Sequence, residues 1–348
     1  MFETFTMDCA MTRTSDVPGQ AGVANRLFEE AVAAHGRMSL SDAERLYRMV
    51  LRLAPGHPEA LNNLGALRER AGDATEAERC YRTALQRAPD YVDARYNLGL
   101  LLHGNRQFAE AEDCYRRVIA AVPRHAAAHV YLAGLMQETD RAADAEWSYL
   151  HAMSLDPDDA VAHLGLGLLF VATGRASEGE ACLRDALRLA PDLKDACGAL
   201  GALLHRQQRY TEAEACYRHV LERDPGSVEV LNNLGRLLHD AGRLTEAERY
   251  LREALAAAPE RAPTAFNLSL VLLAMGRYEE GWALYEARYG ESAHWGDDAH
   301  CHVRPALRFP EWRGQPLAGK SMVVWAEQGL GDCVQFARYV PVLKAKGA

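Results

Sequence analysis

Four asparagines share one register of the chain: Asn63, Asn97, Asn233 and Asn267 follow one another at intervals of 34, 136 and 34 residues. An Asn amide offers a donor and an acceptor together, so it can pair with a peptide unit without reading the side chains beside it. A row of such amides suits the capture of an extended peptide by its backbone. The same amides can instead cap or bridge neighbouring helices, and the column alone leaves both roles open. Tyr131, Gly165 and Ala199 interrupt it.

A second group is compact in sequence. Glu327, Gln328, Gly329, Gly331 and Asp332 form a turn between a run that reads as a short buried strand, Ser321–Ala326, and an amphipathic helix over Asp332–Ala345. Glycines let a ligand approach the backbone, and free N–H groups at a helix start favour anions or polar hydroxyls. The third glycine of the dinucleotide fingerprint is missing and no Gly-Lys-Ser/Thr follows, which disfavours NAD and ATP. Asp332 is suited to take a proton from an acceptor hydroxyl within hydrogen-bond reach. With Gln335 three residues on, it equally resembles a capping box, and Glu327 is open between site and turn. His294, His300, Cys301 and His302 crowd a stretch rich in Pro and Gly; imidazole and thiolate suit zinc, but the spacing is weak evidence for a metal site against a solvated linker, and no metal is assigned.

The elements that must position these groups follow from the prolines. Pro55, Pro89, Pro123, Pro157, Pro191, Pro225 and Pro259 recur every 34 residues, a period that marks stacked helix-turn-helix units. Repeats then begin at Ala24, Pro58, Val92, Ala126, Ala160, Lys194 and Val228, with a partial eighth from Ala262. Position 8 is small in nearly every repeat (Gly65, Gly99, Ala133, Gly167, Gly201, Gly235, Ser269), and so is position 20 (Ala43 through Gly281). Two small columns let the paired helices approach closely where they cross. Tyr or Leu at position 24 fills the space beside the crossing. The fold expected is all-α over residues 24–289, an open solenoid of seven to eight repeats. Residues 1–23 are expected to be disordered, 290–319 to link, and 320–348 to begin an α/β unit.

Charge divides into support and exclusion. Glu at position 21 precedes Arg by four residues in six repeats, Leu150 being the exception, and this is the favourable helical order. The formal charge of -9, from Lys+Arg 39 against Asp+Glu 48, argues against nucleic acid. The longest mid-chain stretch free of Asp, Glu, Lys and Arg, Ala160–Gly174, falls short of the roughly 18 residues of a membrane span. Glu3, Asp8, Arg13 and Asp16 leave no room for a secretory signal, and a cytoplasmic location is expected. Cys80, Cys114, Cys182 and Cys216 share position 23 on successive helices, too far apart for disulfides. His103, His205 and His239 share position 12, and no ligand set is assigned to them.

The repeat columns closely resemble the tetratricopeptide repeat (TPR) family. The asparagine column is similar to that of O-GlcNAc transferases, where such a ladder on the inner surface holds the backbone of extended peptides. The run Pro310–Lys320 and then Glu327–Pro341 resembles the start of the catalytic domain in bacterial TPR-glycosyltransferases, which is similar to glycosyltransferase family 9, the heptosyltransferase-like group with a GT-B fold. That resemblance implies an acceptor-facing turn at Glu327, Gln328, Gly329 and Gly331, with Asp332 as candidate general base. It also implies a nucleotide-sugar donor, but only for a full-length homologue, because the donor site of that family lies largely in a second domain. On this reading the present chain is a catalytically incomplete recruiting part with no cofactor of its own, binding a protein or extended peptide. The alternative is a stand-alone adaptor whose last segment caps the solenoid.

Overall fold

The computed structural model describes residues 20–289 and 340–345. The chain falls into two compact units, residues 1–203 and 204–348. The first holds α1 (Gln20–Gly36), α2 (Leu40–Leu53), α3 (Pro58–Arg70), α4 (Ala74–Arg87), α5 (Val92–Gly104), α6 (Phe108–Ala121), α7 (Ala126–Glu138), α8 (Ala142–Leu155), α9 (Ala160–Ala172), α10 (Ala176–Leu189) and most of α11 (Lys194–Arg206). The second holds the end of α11 and then α12 (Tyr210–Arg223), α13 (Val228–Asp240), α14 (Leu244–Ala257), α15 (Ala262–Ala274) and α16 (Tyr278–Tyr285). A 3-10 turn, Glu286–Tyr289, follows, and α17 (Val340–Ala345) is the last described element.

Odd-numbered helices up to α15 are the first helices of the repeats and even-numbered ones the second. Their boundaries match the expected register, with two differences. α1 starts at Gln20, ahead of the expected boundary at Ala24, so Gln20–Val23 are helical. The eighth repeat, expected as partial, carries both its helices, α15 and α16. Among the described residues there is no strand. The proposed strand Ser321–Ala326 lies outside the described residues, as does the helix expected over 332–345 except for α17.

Each first helix ends in the same way. Met38, Gly72, Arg106, Asp140, Gly174, Gln208, Gly242 and Gly276, one period apart, all have φ between 59° and 81°. The next residue donates its N–H five residues back, as Asp73 does to the Arg68 carbonyl at 2.9 Å and Gln107 to Leu102 at 2.9 Å. This is the Schellman closure, in which a left-handed residue turns the chain and satisfies carbonyls at the helix end. Each second helix from α2 to α14 stops two residues short of its Pro. The intervening residue, Ala54, Ala88 or Val122 for example, takes φ near -133°, the extended backbone that a following proline imposes.

The small columns work as a pair with the large one. A Cβ added to Gly65 would stand 2.6 Å from Tyr81 Cε1, one at Gly99 2.8 Å from Tyr115 Cε1, and one at Gly235 2.5 Å from Leu251 Cγ. Position 8 is therefore small because position 24 of the same repeat packs on it. Where position 20 is also glycine the backbones themselves meet: a Cβ on Gly179 would lie 2.9 Å from the Gly167 carbonyl oxygen. Tyr47, Tyr81, Tyr115 and Tyr217 are fully buried there. Among the described residues no helix is long and apolar enough to cross a membrane.

Candidate functional site

Asn63 and Asn97, from α3 and α5, are half-buried and joined through a third amide. Asn97 Nδ2 donates to Asn62 Oδ1 at 2.9 Å, Asn62 Nδ2 donates to Asn63 Oδ1 at 3.2 Å, and Asn63 Nδ2 donates to the Tyr47 hydroxyl at 3.2 Å. The second unit repeats the arrangement on α13 and α15. Asn267 Nδ2 donates to Asn232 Oδ1 at 2.9 Å, and Asn232 Nδ2 lies 3.5 Å from Asn233 Oδ1. Asn62 and Asn232 are buried. The bridging role left open by the sequence is thus the one in place, linking successive first helices. It does not exhaust the amides, since Asn97 and Asn267 each spend one N–H of two in these bonds. Asn62 and Asn232 were missed by the column reading, although the Asn-Asn pairs at 62–63 and 232–233 signal them.

The interruptions of the column have a physical cause within the first unit. Position 6 of each repeat faces position 24 of the repeat before it. Asn63 meets the Tyr47 hydroxyl, and Tyr131 stacks on Tyr115 with ring centroids 6.3 Å apart. Gly165 lies over Tyr149, whose hydroxyl would be 2.6 Å from a Cβ at 165. Tyr149 reaches where an amide would stand, so no Asn fits there. Burial pushes its hydroxyl up to about 12, which keeps it a protonated donor.

The second helices carry the paired charge. All six expected Glu–Arg pairs form, from Arg48–Glu44 at 3.0 Å to Arg252–Glu248 at 2.8 Å. Sequence reasoning missed a further column at position 16, where Arg141, Arg175 and Arg243 reach back to Glu112, Glu146 and Glu214 of the preceding second helix at 2.9, 2.8 and 2.7 Å. The carboxylate of Glu112 is held low chiefly by its hydrogen bonds from Arg141. These ties occupy the second-helix face and leave the first-helix face as the one with amides to spare.

Histidines join repeats too. His103 Nε2 lies 3.1 Å from Glu138, and His205 Nε2 lies 2.9 Å from Asp240, which His239 Nδ1 also meets at 3.0 Å. His129 and His163 bond the carbonyls of Pro123 and Pro157 at 3.1 and 3.0 Å. A cleft of about 340 Å³ beside Pro89 and Val118 is lined by Arg95 and Arg117, but the first already bonds the Pro89 carbonyl and the second Asp113. Cys80 and Cys114 are buried, and Cys182 and Cys216 partly so; none of the four is joined in a disulfide among the described residues. Among the described residues no three His, Cys, Asp or Glu side chains are grouped to hold a metal ion. The turn residues Glu327, Gln328, Gly329, Gly331 and Asp332, and the cluster His294, His300, Cys301 and His302, lie outside the described residues.

A family model of tetratricopeptide repeats, described as the cilia and flagella-associated protein 70 C-terminal domain, matches residues 92–303, more than half of the chain. A tetratricopeptide repeat model matches residues 57–124. The chain belongs to this repeat family. Over 75 residues the chain is 41% identical to protein FlbA of Caulobacter vibrioides, covering 21% of this chain and 12% of FlbA. The TPR protein thus spans a small part of the curated relative it matches. Among solved structures, a tetratricopeptide repeat protein from Parabacteroides merdae aligns with a TM-score of 0.58 at 18% identity, over 72% of this chain and 98% of that one. Pseudomonas aeruginosa PilF aligns with a TM-score of 0.53 at 20% identity, over 60% and 94%. At these identities the likeness is one of fold.

Proposed function

We propose that this TPR protein is a scaffold that recruits a protein partner by holding an extended peptide on its first helices, with Asn63 and Asn97 acting in one unit and Asn233 and Asn267 in the other. The observation that carries this reading is the bond from Asn97 to Asn62, repeated by Asn267 and Asn232. Each bond fixes the orientation of an amide while leaving it a second N–H and its own oxygen for a peptide unit. An amide already oriented loses less freedom on binding than a free side chain does. The reading also fits a cytoplasmic adaptor. Its test is a pull-down with the Asn63→Ala, Asn97→Ala, Asn233→Ala and Asn267→Ala variant. Partner capture should fall while helicity by circular dichroism holds; unchanged capture would sink the reading.

A second, finer reading rests on the resemblance of Glu327–Asp332 to the opening turn of heptosyltransferase-like domains. On that reading the solenoid recruits the acceptor of a glycosyltransferase, and Asp332 serves as general base toward an acceptor hydroxyl, with a nucleotide sugar as donor. Neither family model reaches past residue 303, so this rests on the motif alone. The deciding observation is the reading frame beyond codon 348. Roughly 200 further residues in alternating strand and helix patterns would support it, and a stop codon there would remove it.

A further inference from the structure

The first-helix face is not uniform. Positions 2, 6 and 9 of a first helix lie one turn apart and share its exposed side. In α3 and α5 these positions include Glu59 and Asp93 with Asn63 and Asn97. In α7 they are Ala127, Tyr131 and Gly134, and in α9 they are Val161, Gly165 and Leu168, without a single charge or amide. Tyr131, Val161 and Leu168 are 39%, 48% and 37% exposed, although each is a large apolar residue. Tyr131 is held by its neighbours, stacked on Tyr115 and set edge-on to Tyr96 with centroids 5.9 Å apart. It is a fixed ledge.

One polar group breaks this apolar strip. The Tyr149 hydroxyl sits between two glycines of adjacent first helices, 2.6 Å from where a Cβ of Gly165 would be and 3.6 Å from that of Gly134. Any larger side chain at 165 would cover it. Tyr149 is only 4% exposed, and among the described residues its hydroxyl has no hydrogen-bond partner. The corresponding hydroxyl of Tyr47 is taken by Asn63. A hydroxyl at the open end of an otherwise buried ring, aimed through a gap between glycines into an exposed apolar strip, has the makeup of a binding site: mostly apolar walls and a single polar group that fixes orientation.

We propose that α7 and α9 form a notch for an uncharged aliphatic or aromatic side chain of the partner peptide, with the Tyr149 hydroxyl donating to a peptide carbonyl beside it. This rests on the reading of the first-helix face as a peptide groove and adds the side-chain preference that the amides cannot supply. The absence of charge from these three positions of both helices selects the occupant, because burying a charged side chain against them would leave it unpaired. Tyr149 supplies at this point the backbone contact that Asn63 and Asn97 supply earlier in the same unit.

The experiment is selection of a random peptide phage library on the full chain, followed by fluorescence anisotropy with the enriched peptides. The enriched peptides should carry an aliphatic or aromatic residue at a fixed place. Leu168→Glu should weaken them by about tenfold or more with wild-type helicity and melting temperature, and Leu168→Met should restore binding. Tyr149→Phe should weaken them by about three- to tenfold, the loss of one hydrogen bond. Peptides whose binding is lost in Asn63→Ala with Asn97→Ala but unaffected by Leu168→Glu would overturn the notch and leave the groove standing. A library that yields no binder to the wild type would overturn the groove and the notch with it.

Discussion

Asn97 donates to Asn62 at 2.9 Å across two successive first helices, and the acceptor, not the donor, is the buried partner. Asn62 therefore holds two residues of the proposed groove at once, taking a hydrogen bond from Asn97 and giving one to Asn63. Replacing it with Ala removes both bonds from a site that water reaches poorly. Asn62→Ala is expected to lower stability in urea by about 1–3 kcal/mol. It should also weaken peptide capture without touching a residue of the asparagine column. Wild-type capture by Asn62→Ala would separate the network from binding.

The Gly65–Tyr81 contact predicts an asymmetry between glycines of neighbouring helices. A methyl at Gly65 would meet the Tyr81 ring at 2.6 Å, and that ring is fully buried with its hydroxyl donating to Glu69 at 2.9 Å, so it has nowhere to go. Gly65→Ala should cost about 1–3 kcal/mol by overpacking. Gly104, in the last turn of α5, has nothing within 4 Å of its Cβ position. There the same substitution should stabilise by about 0.5–1 kcal/mol, the helical preference of Ala over Gly. Urea denaturation of the two single variants decides between them, and equal effects would contradict the packing account.

The left-handed column offers a gain. Arg106 and Gln208 hold φ of 59° and 61°, where their Cβ crowds the following carbonyl. Glycine already occupies the equivalent place at Gly72, Gly174, Gly242 and Gly276. Arg106→Gly and Gln208→Gly should each raise stability by up to about 1 kcal/mol, the relief of strain outweighing the greater freedom of glycine in the unfolded chain. Asp140→Gly should gain less, since a short polar side chain tolerates this conformation. A fall in melting temperature for Arg106→Gly would refute the strain.

What the sequence disclosed depended on how each feature is encoded. The prolines, the position 8 glycines and the Glu–Arg pairs each repeat one residue type at one spacing, so they stood out and fixed the helix boundaries to within a few residues. The left-handed column was hidden because only four of its eight positions are glycine; the backbone requirement persists where the residue that advertises it does not. The gap in the asparagine column at Gly165 depends on Tyr149, sixteen residues earlier and in the preceding repeat, a relation between repeats that a column within them does not display. Likewise the position 16 arginines make sense only beside Glu112, Glu146 and Glu214 of the repeat before.

The same logic between repeats gives a pH dependence. His129 is buried, its Nε2 must carry the proton that bonds the Pro123 carbonyl at 3.1 Å, and its Nδ1 is buried with no hydrogen-bond partner among the described residues. Taking up a second proton would place a charge and an unpaired donor there, so burial above all, with nearby His151 and His125 adding to it, holds the ring below the ordinary histidine range. The unfolded chain then binds this proton at higher pH than the folded one. Stability from the neutral ring is complete above about pH 6.5 and declines as the pH falls below it. The equivalent position is Leu61 in the second repeat and Leu231 in the seventh, both buried, so the fold accepts leucine there. His129→Leu should therefore reduce the loss of urea stability between pH 7.5 and pH 5, although His205, also held low by burial, keeps part of the slope. An unchanged slope in His129→Leu would show that the ring is protonated in the folded protein as readily as in the unfolded chain.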